Sequence, residues 1–112
     1  MTIDELQRES WQVAEDQGFH EGREANSRDD MLVRLCLVGT EVSEAAQVVK
    51  RHWGKPDRLI QTHDEFADEL ADILIRVGDL AGCANVDLQK AVVAKMAVNR
   101  SRPFKYGTPG ER

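Results

Sequence analysis

Apolar side chains recur at three- and four-residue steps along most of this chain. Ile3, Leu6 and Val13, with Trp11 and Ala14 beside them, begin the pattern. Leu35, Val38, Val42, Ala45 and Val49 form a second stripe, and Phe66, Leu70, Ile73, Val77 and Leu80 a third. Such spacing lines one face of a helix. The polar punctuation predicts where each helix begins and ends. Thr2-Ile-Asp-Glu5 is a capping box that opens a helix over 3–17. Ser27, with Asp29 and Asp30 in the first turn, opens a second over 28–53, which Gly54-Lys-Pro56 ends. Thr62-His-Asp-Glu65 reads as another capping box and predicts a third over 63–83, stopping before Asn85. Asp87 caps a fourth over 88–102, and Pro103 cannot continue it. Residues 103–112 read as an irregular tail. Four helices and no strand predict an all-α protein, a four-helix bundle in one domain spanning 1–112.

Residues 18–28 carry no stripe and two glycines. They predict a loop, mobile enough to close over a ligand, with His20 exposed on it. Trp53 falls on the apolar stripe of the second helix and is expected in the core. Trp11 reads as a core or interface residue, the alternative being an aromatic surface on which a base stacks. Cys36 and Cys83 stand far apart on helical stretches and read as small, reduced core residues of a cytoplasmic protein. No apolar run approaches the roughly 20 residues of a membrane span, and the polar, acidic start has no signal-peptide core. Leu37, Ala46, Val48, Leu74 and Ile75 lie outside the main stripes. A bundle so apolar on both flanks predicts a homodimer or homotetramer.

The polar positions beside the stripes carry the chemistry. Glu41-Val-Ser-Glu44 and Glu69-Leu-Ala-Asp72 each place two carboxylates three residues apart, on one helix face. If the two helices pack antiparallel, four anions converge, repel one another and raise their own pKa values. A hard divalent cation, Mg²⁺ with Mn²⁺ as a substitute, removes that conflict. A solvated acidic face is the alternative. The position of both pairs beside apolar stripes favours the metal, because carboxylates at the edge of a core need a reason to be there. Redox di-iron bundles need Glu-x-x-His, and no histidine here has a glutamate three residues before it.

Charge divides the chain further. The net charge is −5, yet residues 88–112 carry six basic side chains and one acidic. An acidic body with one basic segment is unsuited to a nucleic-acid polymer, whose phosphates need a basic face. Lys95, Asn99 and Arg102 share one face of the fourth helix at i, i+4 and i+7. Two cations flanking an amide suit the phosphates of a polyphosphate ligand, which Mg²⁺ would share with the carboxylates.

Taken together, three segments resemble the MazG-like all-α nucleoside triphosphate pyrophosphohydrolases. They are Val38-Gly-Thr-Glu41-Val-Ser-Glu44-Ala-Ala, Asp64-Glu-Phe-Ala-Asp-Glu69-Leu-Ala-Asp72-Ile-Leu-Ile, and Lys95-Met-Ala-Val-Asn99-Arg-Ser-Arg-Pro-Phe-Lys-Tyr-Gly107. The likeness covers roughly residues 30–107. It implies an oligomeric helical bundle that cleaves an NTP or dNTP to the monophosphate and pyrophosphate. It also implies that Glu41, Glu44, Glu69 and Asp72 are the Mg²⁺ ligands, and that Lys95, Asn99 and Arg102 contact phosphates or sugar. Lys105 and Tyr106, just beyond Pro103, are then expected to fold across the bound nucleotide. The rival expectation is a non-catalytic helical interaction module with acidic faces.

Overall fold

The structure is a computed structural model that describes residues 1–104. Its helices are α1 (Ile3–Asp16), α2 (Arg28–His52), α3 (Leu59–Ala84) and α4 (Leu88–Ser101), and the described residues contain no strand. The chain is therefore all-α. The described helices include none long and apolar enough to cross a membrane.

Most helix ends follow their caps. Thr2 Oγ1 accepts from the Glu5 amide, while the Glu5 carboxylate reaches back to the Thr2 backbone. Ser27 and Asp87 cap α2 and α4 in the same way, through the amides of Asp30 and Lys90. Asn85 ends α3 in the left-handed conformation, with φ of 59°. The start of α3 departs from expectation. A single 3₁₀ turn, Pro56–Arg58, runs directly into Leu59, so Thr62 lies inside the helix, 2% exposed, and caps nothing. Leu59 and Ile60, which open the helix, are solvent-facing at 53% and 74% exposure.

The helix α3 is the spine. Both α1 and α2 pack along it, whereas α4 meets α1 and buries no residue of its own. Two glutamines tie α4 to the start of α1. Gln89 Oε1 accepts from the Asp4 amide, and Gln7 donates to the Val86 carbonyl while accepting from the Leu88 amide. A four-helix bundle is thus left open within one chain.

Small residues let α1 approach α3 closely. A Cβ on Gly82 would stand 2.7 Å from Trp11 Cδ1 and 2.9 Å from Trp11 Cβ, and one on Gly78 would stand 3.0 Å from Ser10 Oγ. Alanine at Gly82 would gain helix propensity of roughly 1 kcal/mol. It would also push apart a backbone-level contact, and such overpacking costs about 1–3 kcal/mol. Gly82→Ala is therefore expected to lower the thermal midpoint, and a midpoint at or above wild type would mean that α1 slides freely on α3.

The interior itself is slight. The buried apolar residues are Ala14, Ala45, Ala81 and Cys83, and no large side chain among those described is fully buried. The stripe on α2 is largely at the surface: Ala45 is covered, but Leu35, Val42 and Val49 are exposed. Leu70 on α3 is exposed as well. Cys36 is exposed, not a core residue. Trp53, expected inside, is half exposed because it caps the end of α2. Its ring lies over the start of α3, with ring centres 4.9 Å from His63 and 5.3 Å from Phe66.

Candidate metal centre and its surroundings

Pairs across α2 and α3 fix their antiparallel order: Arg34 meets Asp79, Glu41 meets Arg76, and Glu44 lies near Glu69 and Asp72. The two E-x-x-E/D units therefore face one another. Glu41, Glu69 and Asp72 each offer a carboxylate oxygen within 4.8 Å of the others. Glu44 joins them. A hydrogen bond with Glu41 and the nearby anionic charge of Glu41 hold its carboxyl above the usual range, and Glu69 and Asp72 add to the shift. The spacing predicts four carboxylates together; three stand within 4.8 Å of one another, and Glu44 lies exposed beside Glu41.

Their surroundings are unequal. Arg76 Nε donates to Glu41 at 3.2 Å, and its guanidinium lies over the Phe19 ring, 5.7 Å from the centre. Arg76 thus compensates one of the four anions. Glu69 has a buried Oε2 that no donor within the described residues reaches. A buried carboxylate oxygen with no donor costs free energy unless something cationic satisfies it. That orphaned oxygen, beside the Glu41 and Glu44 carboxylates, fits a divalent cation bound by oxygen. Cavities of about 260 and 330 Å³ flank the cluster. The first is walled by Val13, Phe19 and Arg76, the second by Arg51, His52 and Glu65.

The basic residues are not gathered there. Lys95 is exposed on α4 and makes no ion pair among the described residues. Asn99 is half-buried, with an Oδ1 that has no donor, and Arg102 is the exposed C-cap of α4. Because α4 leans on α1, these three stand on a different helix pair from the carboxylates. Lys105 and Tyr106 lie outside the described residues. Trp11 is wedged between α1 and α3, its ring 5.1 Å from that of His20. It lines a third cavity, apart from the two that flank the carboxylates.

The segment between α1 and α2 corrects the expectation of a free loop. Residues 17–27 form tight turns, with Gly18, Gly22 and Asn26 at positive φ. His20 is buried, not exposed: Nδ1 lies 2.6 Å from Glu15 Oε2, and Nε2 lies 2.6 Å from Asp79 Oδ1. Arg23 pairs with Asp30 at 2.8 Å and donates to the Cys83 carbonyl. Arg34 donates to the Phe19 carbonyl and lies 3.6 Å from Asp79. The segment is fastened to α2 and α3 by charge. Asp79, 5% exposed, has no local sequence signal that marks it as buried.

No family model matches this chain, and no curated protein or solved structure matches it.

Proposed function

We propose that the protein is a metal-dependent nucleoside triphosphate pyrophosphohydrolase, with Glu41, Glu44, Glu69 and Asp72 holding Mg²⁺. The convergence of Glu41, Glu69 and Asp72, with Glu44 beside Glu41 and a buried, unpartnered oxygen on Glu69, carries the reading. The resemblance of residues 30–107 to the MazG-like enzymes supplies the reaction. Mg²⁺ held by these carboxylates would offset their charge and supply Lewis acidity toward the phosphates and the attacking water. The chain's own groups do the rest. Arg76 fixes the Glu41 carboxylate by a charged hydrogen bond. Glu44 stands beside Glu41 at the mouth of the cluster, at the edge of both flanking cavities. Glu65 lines the adjoining cavity and can orient that water.

The protomer is incomplete by itself. Leu32, Val33, Leu35 and Val42 on α2, and Val93, Met96 and Val98 on α4, are exposed. Apolar surface on this scale marks an interface. In this reading a second copy covers it about a two-fold axis, closes the bundle, and brings the Lys95, Asn99 and Arg102 face of α4 toward bound phosphates.

The purified chain with each NTP and dNTP in turn, plus Mg²⁺ or Mn²⁺, is expected to release pyrophosphate and the monophosphate. No turnover on any of them would leave a helical interaction module. Orthophosphate without pyrophosphate would mean a different hydrolase.

A further inference from the structure

A second polar cluster lies where residues 17–27 meet α3, and the proposed reaction makes no use of it. His20, Asp79 and Cys83 are all buried and offer Nε2, a carboxylate oxygen and Sγ within 4.8 Å of one another. Cys83 Sγ stands 3.5 Å from His20 Nε2 and 3.7 Å from Asp79 Oδ1. Nitrogen, oxygen and sulfur donors on one tetrahedral zinc ion, at about 2.0–2.3 Å each, are roughly 3.3–3.7 Å apart. Two of the three edges already have that length. The third, His20 Nε2 to Asp79 Oδ1, is 2.6 Å and is closed by a hydrogen bond that an ion would replace. The other imidazole nitrogen already faces Glu15 Oε2 at 2.6 Å. A carboxylate on the far nitrogen is how metal-bound histidines are held in tautomer and orientation.

We propose that His20, Asp79 and Cys83 form a zinc site, with Glu15 as the positioning residue for His20.

The polar partners of the cluster allow the exchange. Both ring nitrogens of His20 face carboxylates and the Cys83 thiol faces Asp79. Zinc entry would displace the hydrogens held between Nε2, Sγ and Asp79 as protons. Arg23 and Arg34 need not move, because Asp30 and the Cys83 and Phe19 carbonyls hold them. Burial, and then the Asp79 charge, push the Cys83 thiol up. Thiolate and imidazole select a zinc-type ion over Mg²⁺, which sets this site apart from the four carboxylates. Cys83 also lines the cavity beside Trp11 and Arg23, which leaves a fourth coordination position open to water.

Cobalt(II) titration of the Cys36→Ser chain tests this, because Cys83 is then its only thiol. One equivalent is expected to give a thiolate-to-cobalt charge-transfer band in the near ultraviolet, with intense tetrahedral visible bands that zinc reverses. The band should survive Glu41→Gln, which alters the carboxylate cluster, and vanish in Cys83→Ser. Glu15→Gln should keep the band but weaken binding about 10–100-fold. The absence of a thiolate band from the Cys36→Ser chain at saturating cobalt would overturn the proposal without any change to the buried cluster. So would a band that persists in Cys83→Ser.

Discussion

Glu69→Gln is expected to remove pyrophosphate release while leaving the metal-free protein as stable as wild type or more so. Glu69 is the carboxylate whose buried Oε2 has no donor, and its charge is one of those that push the Glu44 carboxyl up. If it binds the metal, its loss should lower kcat by at least about 10²–10³-fold, the scale of one electrostatic partner of a transition state. The stability effect runs the other way, since neutralising one of four clustered anions relieves repulsion. The pH dependence follows from the direction of the Glu44 shift. A carboxyl raised in the folded state adds stability below its unfolded titration, and that stability is lost as pH rises through the folded one. Metal-free wild type should therefore weaken as pH climbs across the Glu44 titration, and Glu69→Gln should weaken less. Denaturant midpoints across that range, taken in a chelator, check the sign. Mg²⁺ at a hundred times its dissociation constant should then stabilise wild type by about 2.7 kcal/mol and the variant hardly at all. A variant with wild-type kcat would remove Glu69 from the reaction. One that loses stability without metal would make it a structural residue.

The largest expected loss of stability belongs to Arg34→Met. Arg34 is 7% exposed and stands between Asp79 at 3.6 Å and Asp30 at 3.4 Å. Its Nε approaches Asp30 without a hydrogen bond, so Coulomb attraction and the bond to the Phe19 carbonyl fix it. Methionine keeps much of the volume and removes the charge. Two buried aspartates would be left with Arg23 and His20 alone, and breaking a buried ion pair from one side costs about 3–5 kcal/mol. Against a usual total of roughly 5–15 kcal/mol, that is enough to unfold much of the population. Equilibrium urea denaturation measures it. Arg34→Lys should fall between the two, because an ammonium cannot span both carboxylates as a guanidinium fork does. A loss under about 1 kcal/mol for Arg34→Met would mean that the charge network does not hold residues 17–27 in place.

The approach of the carboxylates was legible because its signal is local. Glu41 with Glu44, and Glu69 with Asp72, carry their geometry in a three-residue spacing, and one antiparallel pairing brings them together. The caps at Thr2, Ser27 and Asp87 were legible for the same reason. The ionic cluster was not. His20 meets Asp79 across 59 residues and Arg23 meets the Cys83 carbonyl across 60, and no periodicity encodes such partners. Two glycines and the missing apolar stripe of residues 18–28 read as freedom, whereas ion pairs restrain the segment. Thr62 mimicked a cap because Thr-x-x-Glu also occurs inside helices, and Pro56 had already begun the turn that leads into α3. The stripes at Leu35, Val42 and Leu70 predict an interior, whereas in one chain these residues stand at the surface.

That slight interior has a calorimetric consequence. The heat capacity of unfolding comes mostly from apolar surface newly wetted, commonly about 12–15 cal/mol/K per residue for a globular chain. A protomer whose fully covered apolar residues, among those described, are three alanines and a cysteine, the larger ones being half-buried or exposed, with a radius of gyration of 17.5 Å against about 13 Å for a compact chain of some 100 residues, has less such surface to expose than a compact domain of its length. An ordinary heat capacity change would therefore report on the contact between chains more than on the packing within one. Thermal midpoints would then rise with protein concentration, as mass action requires of a fold completed by its own partner.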